Sequence, residues 1–287
     1  MNDQANRLRA LARTQAPEPT LFTSRVMAIA SGKGGVGKTN VVAGLAMALA
    51  QQGQRVLVLD ADFGLANLDI LLGLNHVLTL EHVLRGEKLM EEILLDGPFG
   101  IHIIPASSGI QEFTRLDAIA EMRLVQGLQR ISADHDWLLI DTAAGIHDSV
   151  IKLLMAAQEV LLVTTPEPTA LVDAYAMVKV VHLRDPQKPL WLLVNNAQGP
   201  EEAEETIDQL QAATRRFLNR DLNVLGMLPA DPWVLQAVRQ QRGVVELFPQ
   251  APVSLAFLAA ARQLQDKIPL QKDGFAAFWK GLNLEEP

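Results

Sequence analysis

Residues 26–39 read Val-Met-Ala-Ile-Ala-Ser-Gly-Lys-Gly-Gly-Val-Gly-Lys-Thr, an apolar run that breaks into a glycine-rich turn. The run has the length of a strand buried on both faces. An alanine- and leucine-rich stretch at 38–52 follows with helical periodicity. Gly32 to Thr39 fits G-x-x-x-x-G-K-T between that strand and that helix. The glycines let successive backbone N–H groups converge on phosphate oxygens without Cβ clashes. The helix N-terminus adds partial positive charge. Lys38 is expected to reach the β- and γ-phosphates, and the Thr39 hydroxyl to bind Mg²⁺. Gly32, Lys33, Gly34, Gly35, Val36, Gly37, Lys38, Thr39 and Asn40 are therefore candidate nucleotide-binding residues.

Beyond this stretch, apolar runs recur at 55–60, 101–106, 137–141, 160–165, 190–195 and 223–229. Helix-like segments lie between them, near 116–130, 148–157, 170–182, 201–217 and 232–242, and a last one at 254–267. Strands alternating with helices imply right-handed crossovers. The expected fold is α/β, a mainly parallel twisted sheet with helices on both faces. Polar and glycine-bearing residues cluster just after the strands, where such sheets place ligands.

Composition narrows the chemistry. The chain has 287 residues, 49% hydrophobic and 20% charged, an ordinary globular balance. With no cysteine, disulfides, thiolate metal sites and cysteine nucleophiles are excluded. A net charge of -8 argues against a whole-molecule footprint for nucleic acid. No apolar run reaches membrane-spanning length, and the first twenty residues lack a signal-peptide core. The expectation is a cytoplasmic protein.

Two acidic segments complete a phosphoryl-transfer constellation. Asp60 and Asp62 stand two residues apart at a strand end, where carboxylates could serve Mg²⁺ and an attacking water. The run Leu138-Leu139-Ile140-Asp141 is a strand ending in an acid that would hold Mg²⁺ through water. Gly145, in the loop beyond it, would let a backbone N–H approach a γ-phosphate. Asn195 closes another apolar run, and its amide could donate and accept against a base edge. Asn195-Asn196-Ala197-Gln198 is not the Asn/Thr-Lys-x-Asp signature that reads guanine, which favours ATP.

Lys33, a second lysine early in the loop, resembles the signature lysine of the deviant Walker A ATPases, the MinD/ParA class of P-loop NTPases. That resemblance implies that Lys33 crosses a nucleotide-bridged homodimer to the partner's phosphates. Asp60 to Asp69, including Gly64, resembles the MinD switch I, which implies that Asp62 positions the water and Asp60 supports the metal shell. Thr142-Ala143-Ala144-Gly145 stands where MinD has Ser-Pro-Ala-Gly in switch II, so the loop lacks that proline. The resemblance also places Asn195, Pro229 and Asp231 around adenine, and Glu167 at the dimer contact.

The two ends extend the likeness. Asp3-Gln4-Ala5-Asn6-Arg7-Leu8-Arg9, in a helix-like stretch at 1–15, is similar to the D-Q-A-x-x-L-R activator motif of the FlhG (FleN, YlxH) group. Asp3, Gln4, Ala5, Leu8 and Arg9 would then stimulate the SRP-type GTPase FlhF. Two prolines make 16–24 a stiff tether to an ATPase domain at 25–268. Phe275, Phe278, Trp279 and Leu282 form an apolar helical stripe beside Lys272 and Lys280. Residues 269–287 are thus read as an amphipathic membrane-targeting tail.

The implied function is an ATPase switch, slow unless a partner or membrane stimulates it. It would regulate flagellar number and placement from the cytoplasmic face of the inner membrane. Implied partners are a FleQ/FlrA-type transcription activator and FliM/FliN-type C-ring proteins. The alternative readings are a MinD division-site ATPase and a ParA-type DNA-partitioning ATPase.

Overall fold

A computed structural model describes residues 24–62, 67–105, 118–132 and 134–267. The expected N-terminal activator helix, Gly64 and the C-terminal tail lie outside the described residues. In chain order the strands are β1 (Arg25–Ala30), β2 (Val56–Ala61), β3 (Leu95–Asp96), β4 (His102–Ile104), β5 (Trp137–Thr142), β6 (Glu159–Thr164), β7 (Leu190–Ala197) and β8 (Asn223–Pro229). They form one sheet in the order β3-β4-β2-β5-β1-β6-β7-β8. Every pairing is parallel except the antiparallel β3–β4 edge.

The helices are α1 (Lys38–Gln51), α2 (Leu68–Leu71), α3 (Leu80–Arg85), α4 (Met90–Ile93), α5 (Ala118–Ser132), α6 (Asp148–Ala156), α7 (Pro168–Arg184), α8 (Pro200–Leu218), α9 (Pro232–Arg239), α10 (Val244–Leu247) and α11 (Pro252–Lys267). They cover both faces of the sheet. Along β1, Val26, Ala28 and Ala30 face a core shared with α3 to α7, and Met27 and Ile29 face one shared with α1 and α11. A strand buried on both sides needs apolar residues at every position, hence the unbroken runs.

All seven expected strands are present. The short elements α2, α3, α4, α10 and β3 carry too few residues for a periodic signal. α9 stops at Arg239, three residues before the expected boundary, and Gln241 adopts a left-handed φ of 53° that no helix continues. β7 runs two residues past its expected end through an irregular pairing with β8.

The amino-terminal end of the central strands, opposite the loop, is tied by a buried charge cluster. Arg25 donates to both carboxylate oxygens of Glu159, at 2.5 and 2.9 Å, and to the Leu264 carbonyl of α11. Its guanidinium lies 4.3 Å from the centre of the Trp137 ring. The Trp191 indole N–H completes the shell of Glu159 at 2.7 Å. Breaking such a pair leaves an uncompensated buried charge, which costs about 3–5 kcal/mol. Glu159→Ala should lower unfolding free energy by that amount in urea titration. A loss under 1 kcal/mol would show that the cluster contributes little.

Candidate functional site

β1 lies near the middle of the sheet, and the chain leaves it toward β2 on one side and later toward β6 on the other. The crevice at the strands' carboxyl ends is where such sheets bind ligands. The glycine-rich loop fills it. Gly35 and Gly37 both sit at φ 84°, a left-handed conformation that side chains resist. Gly32 is required for a second reason. A Cβ there would lie 2.3 Å from the Asp173 carbonyl oxygen of α7, so the loop begins directly against that helix. Gly34 and Gly35 are exposed, with no atom within 4 Å of where a Cβ would stand. That leaves their backbone open to an approaching ligand.

Lys38, at the start of α1, turns its ammonium onto Asp141 at the carboxyl end of β5. The two side chains are 7% and 1% exposed. Thr39 hydrogen-bonds the same carboxylate. Burial raises the Asp141 carboxyl, and Lys38 and Thr39 pull it back. Asp60 sits beside Asp141 in the register of β2 and β5. Burial first, and the Asp141 charge second, push Asp60 to about 7. Asp60 also accepts the backbone N–H of Asp62 at 3.1 Å and of Leu68 at 3.3 Å. Its carboxylate therefore grips both sides of the segment containing Gly64. Two buried carboxylates and a hydroxyl, all hard oxygen donors, are a set that fits Mg²⁺.

Lys33 donates to Glu167 at 2.9 Å and to the Thr169 hydroxyl at 3.1 Å within its own chain. Gly145 gives its N–H to the Ser31 carbonyl at 2.9 Å, and the Thr142 hydroxyl donates to Ile29 O at 2.9 Å. Nothing in the sequence marked Thr169, Ser31 O or Asp173 as partners of the loop. Thr169 and Asp173 meet the loop through the packing of α7, and Ser31 O meets Gly145 because β1 and β5 are neighbours.

The three residues expected around a base have other contacts here. Asn195 donates to the Val36 carbonyl of the loop at 2.8 Å. Asp231 caps α9 through the Trp233 N–H at 3.0 Å and accepts the Val253 N–H of α11 at 3.2 Å. It pins two helix N-termini. Pro229 ends β8, whose tip joins β7 through Ala230 N–H to Ala197 O at 2.8 Å.

Residues 24–188 match the AAA domain family. Antiactivator FleN of Pseudomonas aeruginosa is 43% identical over 92% of this chain and 94% of its own. Flagellum site-determining protein YlxH of Helicobacter pylori is 31% identical over 98% of each. The chain belongs to the FleN/YlxH group of MinD-like ATPases. Among solved structures, MinD from Pyrococcus horikoshii complexed with Mg-ADP aligns at a TM-score of 0.69 with 27% identity. That match covers 85% of this chain and 96% of MinD. MinD in the MinC:MinD complex of Aquifex aeolicus aligns at 0.70 over 88% of this chain and 100% of its own. The chain is thus an ATP-binding ATPase of the MinD/ParA class.

The elevated Asp60 has a pH signature. An acid with a raised folded pKa holds more protons folded than unfolded, so its contribution to stability falls as pH rises from about 4 to about 7. Nucleotide-free wild type should therefore lose stability relative to Asp60→Asn across that window in urea unfolding. Parallel curves for the two proteins would contradict the assignment.

Proposed function

We infer that this ATPase is a dimerising switch that sets flagellar number and placement. One observation carries the reading: the likeness to an antiactivator FleN runs over nearly the full length of both chains. ATP would bind along the glycine loop, with Lys38 and Thr39 turned to its phosphates. Bound Mg²⁺, held by Thr39 with Asp60 and Asp141 behind it, would supply positive charge to the β- and γ-oxygens. Asp62 would orient the attacking water, and Lys33 from the opposite subunit would meet charge developing in the transition state.

For Lys33 to cross a dimer it must leave Glu167 and Thr169. The Lys33 and Glu167 side chains are 40% and 64% exposed, so their ion pair holds the lysine by about 0–1 kcal/mol. The contact is weak enough for a triphosphate to outcompete. The Gly145 N–H would likewise leave Ser31 O for the γ-phosphate, which makes the loop a sensor of hydrolysis. In the FlhG-type reading, Asp3, Gln4, Ala5, Leu8 and Arg9 activate FlhF. Phe275, Phe278, Trp279 and Leu282 reach the inner membrane when two tails act together, because a single weak anchor binds only marginally. Restraint of a FleQ/FlrA-type activator and contact with FliM/FliN-type proteins complete the proposal.

The test is molecular mass in solution. Light scattering should give a monomer with Mg-ADP and a dimer with Mg-ATP. Asp62→Ala should accumulate the ATP dimer with hydrolysis at least tenfold slower, and Lys33→Ala should stay monomeric. A wild type that stays monomeric under saturating ATP would overturn the reading. Phe278→Asp/Trp279→Asp should also abolish ATP-dependent binding to anionic vesicles, seen by sedimentation. Unchanged binding would remove the tail from the proposal.

A further inference from the structure

We propose that Asn195 is a positioning residue for the phosphate loop, acting through Val36 and Gly37, in addition to any contact it makes with a base. Its side chain crosses from β7 to the loop and donates to the Val36 carbonyl at 2.8 Å. A carbonyl only accepts, so the atom facing it is the amide nitrogen and the orientation of the amide is fixed. The same nitrogen lies 2.5 Å from where a Cβ on Gly37 would stand. Gly37 is the left-handed residue from which α1 starts, one position before Lys38. Asn195 therefore touches the loop at the turn that aims the lysine and the first N–H groups of the helix.

The sheet is shaped to deliver this contact. β7 loses regular register with β8 between Val194 and Ala197. Asn196 in that gap adopts φ 59°, a left-handed conformation that asparagine tolerates better than most side-chain-bearing residues. A bulge of this kind re-aims the neighbouring side chain and is held by its surroundings. Here it turns a strand residue toward the loop. Among the described residues, Asn195 Oδ1 accepts no hydrogen bond. With one N–H on Val36, the amide keeps one acceptor and one donor in a fixed order. An adenine edge matches that pair at N6 and N7. The loop contact thus also fixes which way the amide can read a base.

Inorganic tripolyphosphate separates the two roles, because it has phosphates and no base. Asn195→Asp replaces the donor with an acceptor facing the Val36 carbonyl, and Asn195→Ala removes it. Calorimetry with Mg-tripolyphosphate should show affinity weakened about tenfold for Asn195→Asp and severalfold for Asn195→Ala. ADP should weaken by at least the same factors. If tripolyphosphate binds within twofold of wild type while ADP alone weakens, positioning is overturned and base contact stands. Backbone amide resonances give a second check that does not depend on ligand. Gly37 and Lys38 should shift in nucleotide-free Asn195→Asp while the amides of β2 stay put. Unmoved Gly37 and Lys38 resonances would overturn the proposal.

Discussion

The buried contact between Lys38 and Asp141 governs the whole cleft. A full charge this deep in the protein is tolerated only when paired or hydrogen-bonded. Each partner therefore specifies the other's position. Asp141 is placed by β5, which lies next to β1, and Lys38 by the loop that leaves β1. The strand order puts the two chain segments within reach, and the pair then fixes where α1 begins. Asp60 adds a second carboxylate beside Asp141, with no cation of its own among the described residues, and burial leaves it titrating near neutrality. The site carries more acid than its own lysine balances, as expected of a place that takes a divalent cation.

A second regularity concerns the groups a triphosphate would need. Lys38 is held by Asp141, Lys33 by Glu167 and Thr169, and the Gly145 N–H by Ser31 O. On the proposed reading these contacts are exchanged, one set for another, when nucleotide binds. The exchange has little net cost because hydrogen bonds are replaced rather than lost. It also ties three separate segments to a single ligand. A ligand that can replace only some of the contacts leaves the others in place, which is how a cleft of this kind would separate diphosphate from triphosphate.

Much of this was legible in the sequence, for particular reasons. The strands announce themselves because burial on two faces demands unbroken apolar runs, as in Val56–Ala61 and Trp137–Thr142. The loop announces itself because backbone-to-phosphate geometry needs glycines at fixed spacing. Asp60, Thr39 and Asp141 were identifiable as a group and do converge. Other features depend on tertiary contact and leave no local mark. Asp231 looks like a loop acid after a strand, yet its carboxylate joins the starts of α9 and α11. Asn195 looks like a strand-end residue, yet the bulge at Asn196 sends it to the loop. The helices α2, α3 and α4 are too short for hydrophobic periodicity to register, so beyond β2 the sequence marks β4 but not these helices or β3.

A crystal structure of the full chain with a non-hydrolysable ATP analogue and Mg²⁺ tests the exchange most directly. The account predicts Lys38 Nζ on phosphate oxygens and away from Asp141, with the Gly145 N–H released from Ser31 O. A bound analogue with both of those contacts intact would contradict it.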